Sequence, residues 1–491
     1  WMMVDGEWYC YDKNGDAYEN TFCSSNGKEY YVGDDGQLVR SSWVEYDGDR
    51  YFVNSSGAKI TNDWRLTTPY DDDSADEEWY YFQSNGKMAT NKKVTYKGKT
   101  YFFDADGIML TGWVTADGTQ VVNEENKIDK DDTYYCGEDG ARLEKAWIHT
   151  TEPTAEDNEA DADEHWYYLK SSGNPVVNKK QNNLKGQSYI FDDEGAMLSG
   201  WVASVASGSN AVYAEIDGEY DNYQLSTFAD GSVYFCGGED DGHVKKNKWI
   251  KTWRPVDTYD EDEDQDKYWY WIGKDGKVYI PASGSDAVAT KYKLADAKMD
   301  DKGEKQITKK KVNSKDYFFN ENGEMMSQFM EVTKINNPKA FEGKGMYYLG
   351  GDNDGSMKTG SQTVKDENGD NYKFYFGTRT STQNLEVKGV GITGNKSNKL
   401  YFKGLLLTAD DFKYQIATIP FADGDATFIV NKNGAIQHSK VKYTEDGDTL
   451  IDATAASYAS DSTVKDAKKY NVTGLKNVNV DEIDIYSVMP R

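Results

Sequence analysis

The amino-acid sequence predicts an all-β fold, a repeat β-solenoid built from stacked β-hairpins. Two observations predict it: an aromatic strand signal that runs into a polar turn closed by glycine, and short intervals between copies that fit a period of roughly 20 residues. Copies begin at Tyr51, Tyr80, Tyr101, Tyr167 and Tyr317 and close at Gly57, Gly86, Gly107, Gly173 and Gly323. The chain is therefore predicted to be an array of small units and not one globular core.

Composition supports the same fold class and excludes some partners. The 491 residues carry a net charge of −28, and 14% are aromatic while only 37% are hydrophobic. Such a chain has few aliphatic side chains for one large core, so aromatic cross-strand pairs are expected to order it. Phosphate backbones require clustered Lys and Arg, so nucleic acid is excluded as a partner. No apolar run is long enough to span a bilayer, so no membrane insertion is expected.

A longer period of three hairpins runs through the middle of the chain. The first hairpin of each period follows an acidic insertion, and the second carries lysines before its aromatic strand. Three such units lie near 67–148, 149–250 and 251–364, after N-terminal hairpin repeats at 1–66 and before divergent C-terminal β repeats at 365–491. The C-terminal repeats should contain longer strands, and the Ala- and Ser-rich segment from Leu450 to Lys469 is expected to include a short helix.

The repeat pattern is clearest in two copies, Tyr101 to Trp113 and Tyr189 to Trp201. Both read Tyr-x-Phe-Asp-x-x-Gly-x-Met-Leu, then Thr or Ser, then Gly-Trp. This pattern resembles the cell-wall-binding repeats of Gram-positive surface proteins, a superfamily with choline-binding repeats, glucan-binding repeats and the receptor-binding repeats of clostridial toxins. The resemblance implies a β-solenoid, a carbohydrate- or choline-binding role without catalysis, and an extracellular place at the cell surface or cell wall.

The same resemblance points to tryptophans as candidate binding residues. In the choline-binding branch, the Trp after Thr-Gly forms a cage with aromatic residues of neighbouring hairpins. An aromatic face stabilises a quaternary ammonium by about 0.5–2 kcal/mol, whereas a sugar lays an apolar ring face on it. The resemblance assigns ligand binding to Trp43, Trp64, Trp113, Trp147, Trp201 and Trp249, with Trp79, Trp166 and Trp269 as partners on the following hairpin. The alternative for each is a structural tryptophan wedged between hairpins.

The chain departs from a uniform series of cages. Lys92-Lys93 and Lys179-Lys180 stand near where the tryptophan would fall, and one third hairpin ends in Ser361. The acidic insertions are a further departure. Their carboxylates suit Ca²⁺, but no EF-hand spacing or glycine-rich calcium repeat is present, so no cofactor is expected, and Ca²⁺ or a solvated loop are the open alternatives.

No catalytic or metal-binding motif is recognisable. The four histidines, at 149, 165, 243 and 438, lie in no HExxH or triad-like setting, and no carboxylate pair is singled out for glycosidase chemistry. Cys136 and Cys236 occupy equivalent places in successive units, too far apart for one disulfide. Cys10 and Cys23 should lie on neighbouring strands, where a disulfide and two free thiols are equally open. The sequence therefore predicts a protein that is not an enzyme.

The main functional hypothesis is a secreted repeat protein that binds a cell-wall polymer or polysaccharide through aromatic sites between hairpins. One alternative is a self-associating surface fibre or spacer, in which acidic and lysine-rich bands pair between molecules. Another is the targeting region of a larger enzyme or toxin. This last alternative arises because the chain opens at Trp1 inside a repeat, which fits both a processed product and an excised fragment.

Overall fold

In the computed structural model, every regular element of the described residues is a β-strand. The described residues are 1–115, 131–152, 163–207, 210–216, 232–255, 267–281, 287–292, 305–335, 343–366, 368–381, 386–410, 412–421, 424–437, 441–453 and 477–479. Most strands pair antiparallel with their neighbour in sequence, as hairpins do. The prediction of an all-β repeat fold of the β-solenoid kind is confirmed.

The chain divides into two compact units. The first consists of Trp1–Gly200, Ala206–Ala214 and Cys236–Val244, and the second of Trp201–Val205, Glu215–Phe235 and Lys245–Arg491. The paired strands of the first unit are β1 (Met2–Val4) with β2 (Glu7–Tyr9), β3 (Thr21–Ser25) with β4 (Lys28–Val32), β5 (Ser42–Tyr46) with β6 (Asp49–Val53), β7 (Asp63–Thr67) with β8 (Glu78–Phe82), β9 (Lys92–Tyr96) with β10 (Lys99–Phe103), β11 (Gly112–Thr115) with β12 (Thr133–Cys136), β13 (Ala146–Thr151) with β14 (Glu164–Leu169), and β15 (Lys179–Leu184) with β16 (Gln187–Phe191).

The second unit begins with similar hairpins and continues into wider sheets. Its strands, with two that contain residues of both units (β17 and β18), are β17 (Trp201–Ser207), β18 (Asn210–Glu215), β19 (Val233–Phe235), β20 (Lys248–Thr252), β21 (Tyr268–Ile272), β22 (Ala287–Tyr292), β23 (Lys305–Val312), β24 (Lys315–Asn320), β25 (Phe329–Ile335), β26 (Gly345–Tyr348), β27 (Gly360–Lys365), β28 (Asn371–Phe376), β29 (Gly394–Lys396), β30 (Lys399–Phe402), β31 (Leu405–Leu406), β32 (Tyr414–Phe421), β33 (Gly424–Asn431), β34 (Val441–Glu445), β35 (Asp448–Ala453) and β36 (Asn477–Asn479). Two five-stranded sheets have the orders β24-β23-β22-β25-β26 and β27-β28-β31-β30-β29.

A glycine turn follows each of the regular hairpins. After β6, the side-chain oxygen of Asn54 accepts the backbone N–H groups of Ser56 and Ala58, at 2.9 and 3.0 Å. Gly57 then has a φ of 80°. Because a β-carbon is strongly disfavoured at positive φ, this step of the turn needs glycine.

The second residue after each turn glycine joins one hairpin to the one before it, and we call it the stitch residue. Its backbone N–H donates to a carbonyl oxygen on the second strand of the preceding hairpin, at 2.7–2.9 Å. The donor–acceptor pairs are Leu38 with Trp8, Lys59 with Glu29, Met88 with Arg50, Met109 with Trp79, Arg142 with Thr100, Met197 with Trp166, Val244 with Ser188, Val278 with Val233, Met325 with Trp269 and Met357 with Asp316. Hairpins are therefore stacked by backbone hydrogen bonds as well as by side chains.

Pro175 holds the stitch position after the turn glycine Gly173, yet proline has no N–H to donate. The side chain of the residue before it takes over this bond. The Nδ2 atom of Asn174, which is buried, donates to the carbonyl oxygen of Thr133 at 3.2 Å. Thr133 lies two residues before Tyr135, the partner of Trp113, as Trp79 lies two before Tyr81, the partner of Trp64. The side-chain amide thus reaches the equivalent acceptor.

The core is a series of small apolar layers between hairpins. One layer consists of Phe52, Tyr80, Phe82 and Met88, contributed by two successive hairpins and the turns between them. The second unit also has mainly aliphatic clusters: one contains Ile307, Val332 and Leu349, and another contains Leu400, Ile419 and Val430. The expectation of an array ordered by aromatic pairs therefore holds for the hairpins. The longer strands expected in the C-terminal repeats are found at Asn371–Phe376 and Gly424–Asn431, whereas Lys399–Phe402 has only four residues.

The predicted placement of the first acidic insertion is wrong, and the predicted C-terminal helix lies mostly outside the described residues. The first acidic insertion does not precede its hairpin: residues 68–77 form the loop that joins β7 to β8. The error arose because the insertion is longer than the other hairpin turns and hides the short strand Asp63–Thr67 before it. The predicted C-terminal helix lies outside the described residues, except that Leu450 to Ala453 belong to β35. The second and third insertions also fall mostly outside the described residues.

Asn174→Ala should destabilise the first unit by about 1–3 kcal/mol, because the buried hydrogen bond from the Asn174 side chain to the carbonyl oxygen of Thr133 is lost. The double variant Asn174→Ala/Pro175→Met should recover most of this loss. It restores a backbone N–H at the stitch position and reproduces the Gly195-Ala196-Met197 sequence found in the next copy. Urea unfolding followed by circular dichroism measures both variants. Equal stability of Asn174→Ala and the wild type would contradict the assignment.

Asp192→Asn should stabilise the protein at neutral pH. The Asp192 side chain accepts the N–H groups of Glu194 and Ala196, as Asn54 does in its own turn, and burial raises the pKa of this carboxyl to about 6. Because the pKa is raised on folding, the wild type loses stability as pH rises from about 4 to about 6, by at most about 3 kcal/mol. The gain from Asp192→Asn should therefore be absent near pH 4 and complete above pH 7. Unfolding curves at four pH values would show it, and a gain independent of pH would refute it.

Candidate aromatic slots between hairpins

Two successive hairpins enclose a slot lined by side chains. We name each slot after the residue that closes it, which lies on the first strand of the earlier hairpin. Four further positions line it: two residues on the same face of the second strand, an aromatic residue of the next hairpin, and the stitch residue after that hairpin. The slots contain all nine tryptophans that the sequence predicted as binding residues. Their geometries differ.

The Trp64 slot is an aromatic corner with one side open to solvent. Trp64 lies opposite Tyr81 in the β7–β8 register, and Trp79 lies opposite Leu66 on the same face. The ring centroid of Trp64 is 6.3 Å from Trp79, 5.2 Å from Tyr81 and 4.8 Å from Tyr101 of the next hairpin. Trp79 is 43% exposed. The stitch residue Met109 packs against the same group.

The Trp147 slot repeats this arrangement. The ring centroid of Trp147 is 6.4 Å from Trp166, 5.2 Å from Tyr168 and 4.7 Å from Tyr189, with Met197 as the stitch residue. Each distance is within 0.1 Å of its counterpart in the Trp64 slot.

The rim of the Trp147 slot carries an ionisable group that the Trp64 slot lacks. His149 replaces Leu66, and its ring centroid lies 4.8 Å from that of Trp166. The Nδ1 atom of His149 is 3.0 Å from a carboxylate oxygen of Glu164. The opposite rim is also acidic, because the indole N–H of Trp166 donates to Asp240 at 3.5 Å.

The Trp249 slot in the second unit has the same plan with a more closed rim. Trp249 lies 5.4 Å from Trp271 and 4.8 Å from Tyr317 between ring centroids. Trp269 packs in the same cluster, and its indole N–H donates to the side-chain oxygen of Asn353 at 3.1 Å. The Nζ atom of Lys251 donates to the same oxygen at 3.2 Å. Asn353 and Lys251 therefore cover the side of the Trp249 slot that corresponds to the open side of the Trp64 slot.

Electrostatics favour a cation in the Trp147 slot, whereas carboxylate and lysine charges oppose each other at the Trp249 slot. Burial raises the pKa of Tyr189, and the nearby Asp241 raises it further; burial and Asp354 raise the pKa of Tyr317 in the same way. Both phenols are therefore neutral at physiological pH. The carboxylates that contribute to these pKa shifts also bring negative potential to the slots.

The structure corrects one part of the predicted sites. Trp79, Trp166 and Trp269 were expected on the hairpin that follows Trp64, Trp147 and Trp249, but each pair belongs to one hairpin. The next hairpin contributes a tyrosine instead, Tyr101, Tyr189 or Tyr317. The error has the same origin as the misplaced insertion, because the long acidic loop separates the two tryptophans in sequence.

A fourth slot of this kind, closed by Trp1, was missed by the sequence analysis. Trp8 lies opposite Met3 as Trp79 lies opposite Leu66, and Tyr30 lies opposite Cys23 as Tyr101 lies opposite Val94. The slot contains a cavity of about 390 Å³, lined by Trp1, Trp8, Ser25, Tyr30, Leu38, Arg40 and Ser56. The signal was available as the pair Trp1 and Trp8.

The Trp1 slot is roomy because small residues replace large ones behind it. In register, Cys10 stands at the position of Tyr81, and Val32 at the position of Phe103. Both are buried. Loss of two aromatic rings from the back wall accounts for the open volume.

Trp43, Trp113 and Trp201 are held differently. Their indole N–H groups donate to the backbone carbonyl oxygens of Thr68, Thr151 and Trp253, at 2.9, 3.1 and 3.0 Å. Trp113 and Trp201 are also only 8% and 2% exposed. An indole whose N–H is bonded to the backbone is fixed in place, so these three tryptophans, of which Trp43 is half-buried, pack hairpins together. A binding role for them stays a prediction.

Among the described residues, slots within each unit fall into three kinds. Paired tryptophans line the Trp1, Trp64, Trp147 and Trp249 slots; a hydrogen-bonded indole closes the Trp43, Trp113 and Trp201 slots; no tryptophan closes the Phe22 and Lys93 slots. Lys93 lies opposite Phe102, where Trp64 lies opposite Tyr81. The predicted departure from a uniform series of cages is thus visible in the structure.

Other candidate groups in the described ranges form no recognisable site. Among the described residues, no three His, Cys, Asp or Glu side chains are placed to hold a metal ion, so Ca²⁺ binding stays a prediction. All four cysteines are buried thiols, and Cys10 and Cys23 share one small cluster with Val32. Burial raises the pKa of Cys23 to about 12. His438 lies outside the described residues. In the part of the chain that is described, no helix has the length and apolarity needed to cross a membrane.

Family models match three segments of the chain. A choline-binding repeat matches residues 74–112, which contain the Trp79 and Tyr101 walls of the Trp64 slot, and a cell wall binding repeat matches residues 161–174 and 310–325. These segments are thus similar to choline-binding and cell wall binding repeats. The superfamily predicted from the sequence is therefore confirmed. No curated protein matches the sequence.

Solved structures with similar repeats come from Streptococcus pneumoniae. The modular autolysin LytC is 17% identical, with 66% of this chain and 52% of that chain covered and a TM-score of 0.35. The choline-binding domain of CbpL is 26% identical over 43% and 92%, with a TM-score of 0.29. Choline binding protein F is 17% identical over 85% and 98%, with a TM-score of 0.28. This chain thus matches about half of the length of LytC.

Proposed function

We propose that this chain attaches to a cell-wall polymer at the cell surface, and that the paired-tryptophan slots hold quaternary ammonium groups of that polymer. The observation that carries the proposal is the recurrence of one geometry: two tryptophans of a hairpin and a tyrosine of the next, with centroid distances that agree within 0.1 Å between the Trp64 and Trp147 slots. No catalytic step is assigned to these repeats.

The aromatic faces of this protein already attract cations, which supports an ammonium ligand over a neutral sugar. The guanidinium carbon of Arg50 lies 4.4 Å from the ring centroid of Tyr70, and that of Arg254 lies 4.0 Å from Tyr268. The Nζ atom of Lys310 lies 3.9 Å from Tyr279. A quaternary ammonium, which is weakly hydrated and cannot donate a hydrogen bond, gains more from such faces than it loses in water contacts.

The four slots are expected to differ in affinity. The Trp64 slot is open on the side of Trp79, whereas Lys251 stands at the rim of the Trp249 slot. A lysine repels a second cation, so the Trp249 slot should bind an ammonium group most weakly. Several weak sites on one chain still give firm attachment to a polymer with many ligands, since linked sites gain about 10²- to 10⁴-fold in avidity.

The double variant Trp64→Ala/Trp79→Ala should remove one choline site per chain, measured by isothermal titration calorimetry. Co-sedimentation with choline-bearing cell walls should fall several-fold, because avidity depends on the number of sites. Lys93→Ala is the control, since Lys93 holds the closing position of a slot without tryptophan. Choline, but not glucan oligosaccharides, should release the bound protein.

Two results would overturn the proposal. One is a wild-type protein that neither binds choline nor pellets with cell walls. The other is a double variant with normal circular dichroism and an unchanged number of choline sites. Release by glucan oligosaccharides alone would replace the ammonium ligand by a sugar.

A further inference from the structure

The Phe22 slot is a complete aromatic enclosure even though it contains no tryptophan. The ring centroid of Phe22 lies 5.1 Å from Tyr31, 5.4 Å from Tyr46 and 5.2 Å from Tyr51, each at a steep angle. Tyr31 and Tyr46 are also 6.3 Å apart. The rings of Phe22 and Tyr51 both present a face to a cation in this slot.

A cation of the protein itself occupies this enclosure. The Nζ atom of Lys59 lies 4.7 Å from the ring centroid of Phe22 and 5.3 Å from that of Tyr51. The Lys59 side chain is 9% exposed and forms an ion pair with Glu29, whose side chain is 44% exposed. A buried ammonium is costly without such partners, so the aromatic faces and the carboxylate together account for its position.

Lys59 is the stitch residue of this slot, and its backbone N–H donates to the carbonyl oxygen of Glu29 at 2.8 Å. The same position holds Leu38 in the Trp1 slot and Met109 in the Trp64 slot, both uncharged. Since the backbone places the side chain identically in each copy, the residue type at the stitch position decides whether the slot contains a positive charge. A tethered ammonium competes at an effective concentration of about millimolar or more, which excludes weak ligands.

We propose that the Phe22 slot is a fifth quaternary-ammonium site, closed by Lys59 acting as a resident substitute for the ligand. The inference deepens the proposed function, on which it rests, by naming the residue that decides which slots accept ligand. Arg142 offers a comparison. It is also a cationic stitch residue, with its guanidinium carbon 5.2 Å from the Tyr134 ring, but Lys93 closes its slot. Removal of Arg142 therefore leaves no cage.

An uncharged side chain can replace Lys59 without a steric clash. The turn glycine of the next hairpin, Gly86, has a φ of 83°, and a β-carbon there would come within 2.8 Å of the Lys59 side chain. The lysine stem therefore fills the space against this turn, as Met88 does against Gly107. Methionine at position 59 would therefore pack against Gly86 as Met88 packs against Gly107. Glu29 is exposed enough to be solvated after its partner is removed.

The test is calorimetric titration of tetramethylammonium chloride into the wild type, Lys59→Met, Lys59→Leu and Arg142→Met. Both position-59 variants should bind one more tetramethylammonium per chain than the wild type, and Arg142→Met should bind the same number. The reverse variant, Met109→Lys, should lose one site. Circular dichroism and thermal melting confirm that each variant is folded. Two substitutions are made at position 59 so that the test remains possible if one of the variants does not fold.

The outcomes separate this inference from the proposed function. If the wild type binds and folded Lys59→Met and Lys59→Leu gain no site, the inference is wrong while the proposed function stands. If the wild type does not bind but the position-59 variants bind one ligand, the Lys59 inference is supported and the proposed use of the tryptophan slots fails. If no protein binds tetramethylammonium, both are overturned.

Discussion

The backbone hydrogen bond of the stitch residue is the constraint on which the rest of the repeat structure depends. A hairpin alone buries little surface, so it becomes stable by attachment to its neighbours. The glycine at positive φ turns the chain, and two residues later an N–H reaches the preceding hairpin, as in Met109 to Trp79. Where Pro175 removes this donor, Asn174 supplies another from its side chain. The chain keeps the bond even where the usual residue cannot make it.

The same position couples assembly to ligand selection. Its main chain stacks the hairpins, while its side chain enters the slot that stacking creates. Leucine at position 38 accompanies a cavity, methionine at 109 forms part of an aromatic wall, and lysine at 59 places a charge inside. Because the main-chain role tolerates nearly any residue except proline, the side chain is free to vary. Slots with different contents can therefore occur in one array without loss of the fold.

Much of the fold and part of the site could be predicted from the sequence. Hairpins and their glycine turns were predictable because turn chemistry is local, and the closing residues Trp64 and Lys93 follow at a fixed distance from them. Pairing across the 68–77 loop was not, since a long insertion obscures which tryptophans share a hairpin. The indole bond of Trp43 to Thr68 also depends on that loop. Lys59 gave no signal, because a lone lysine in a polar repeat is normally solvated.

The net charge of −28 gives the whole array a field in which these local differences act. A negative surface raises the local concentration of cationic groups at every slot, an effect that salt screens beyond about 10 Å at 0.1 M. Discrimination between slots must therefore come from polar and charged side chains at closer range. Lys251 at one rim, His149 at another and Lys59 inside a third lie within a few ångströms of the aromatic faces they affect. The repeats can therefore differ in sequence. The long-range field raises the local concentration of the ligand, and the side chain nearest to each slot determines its affinity.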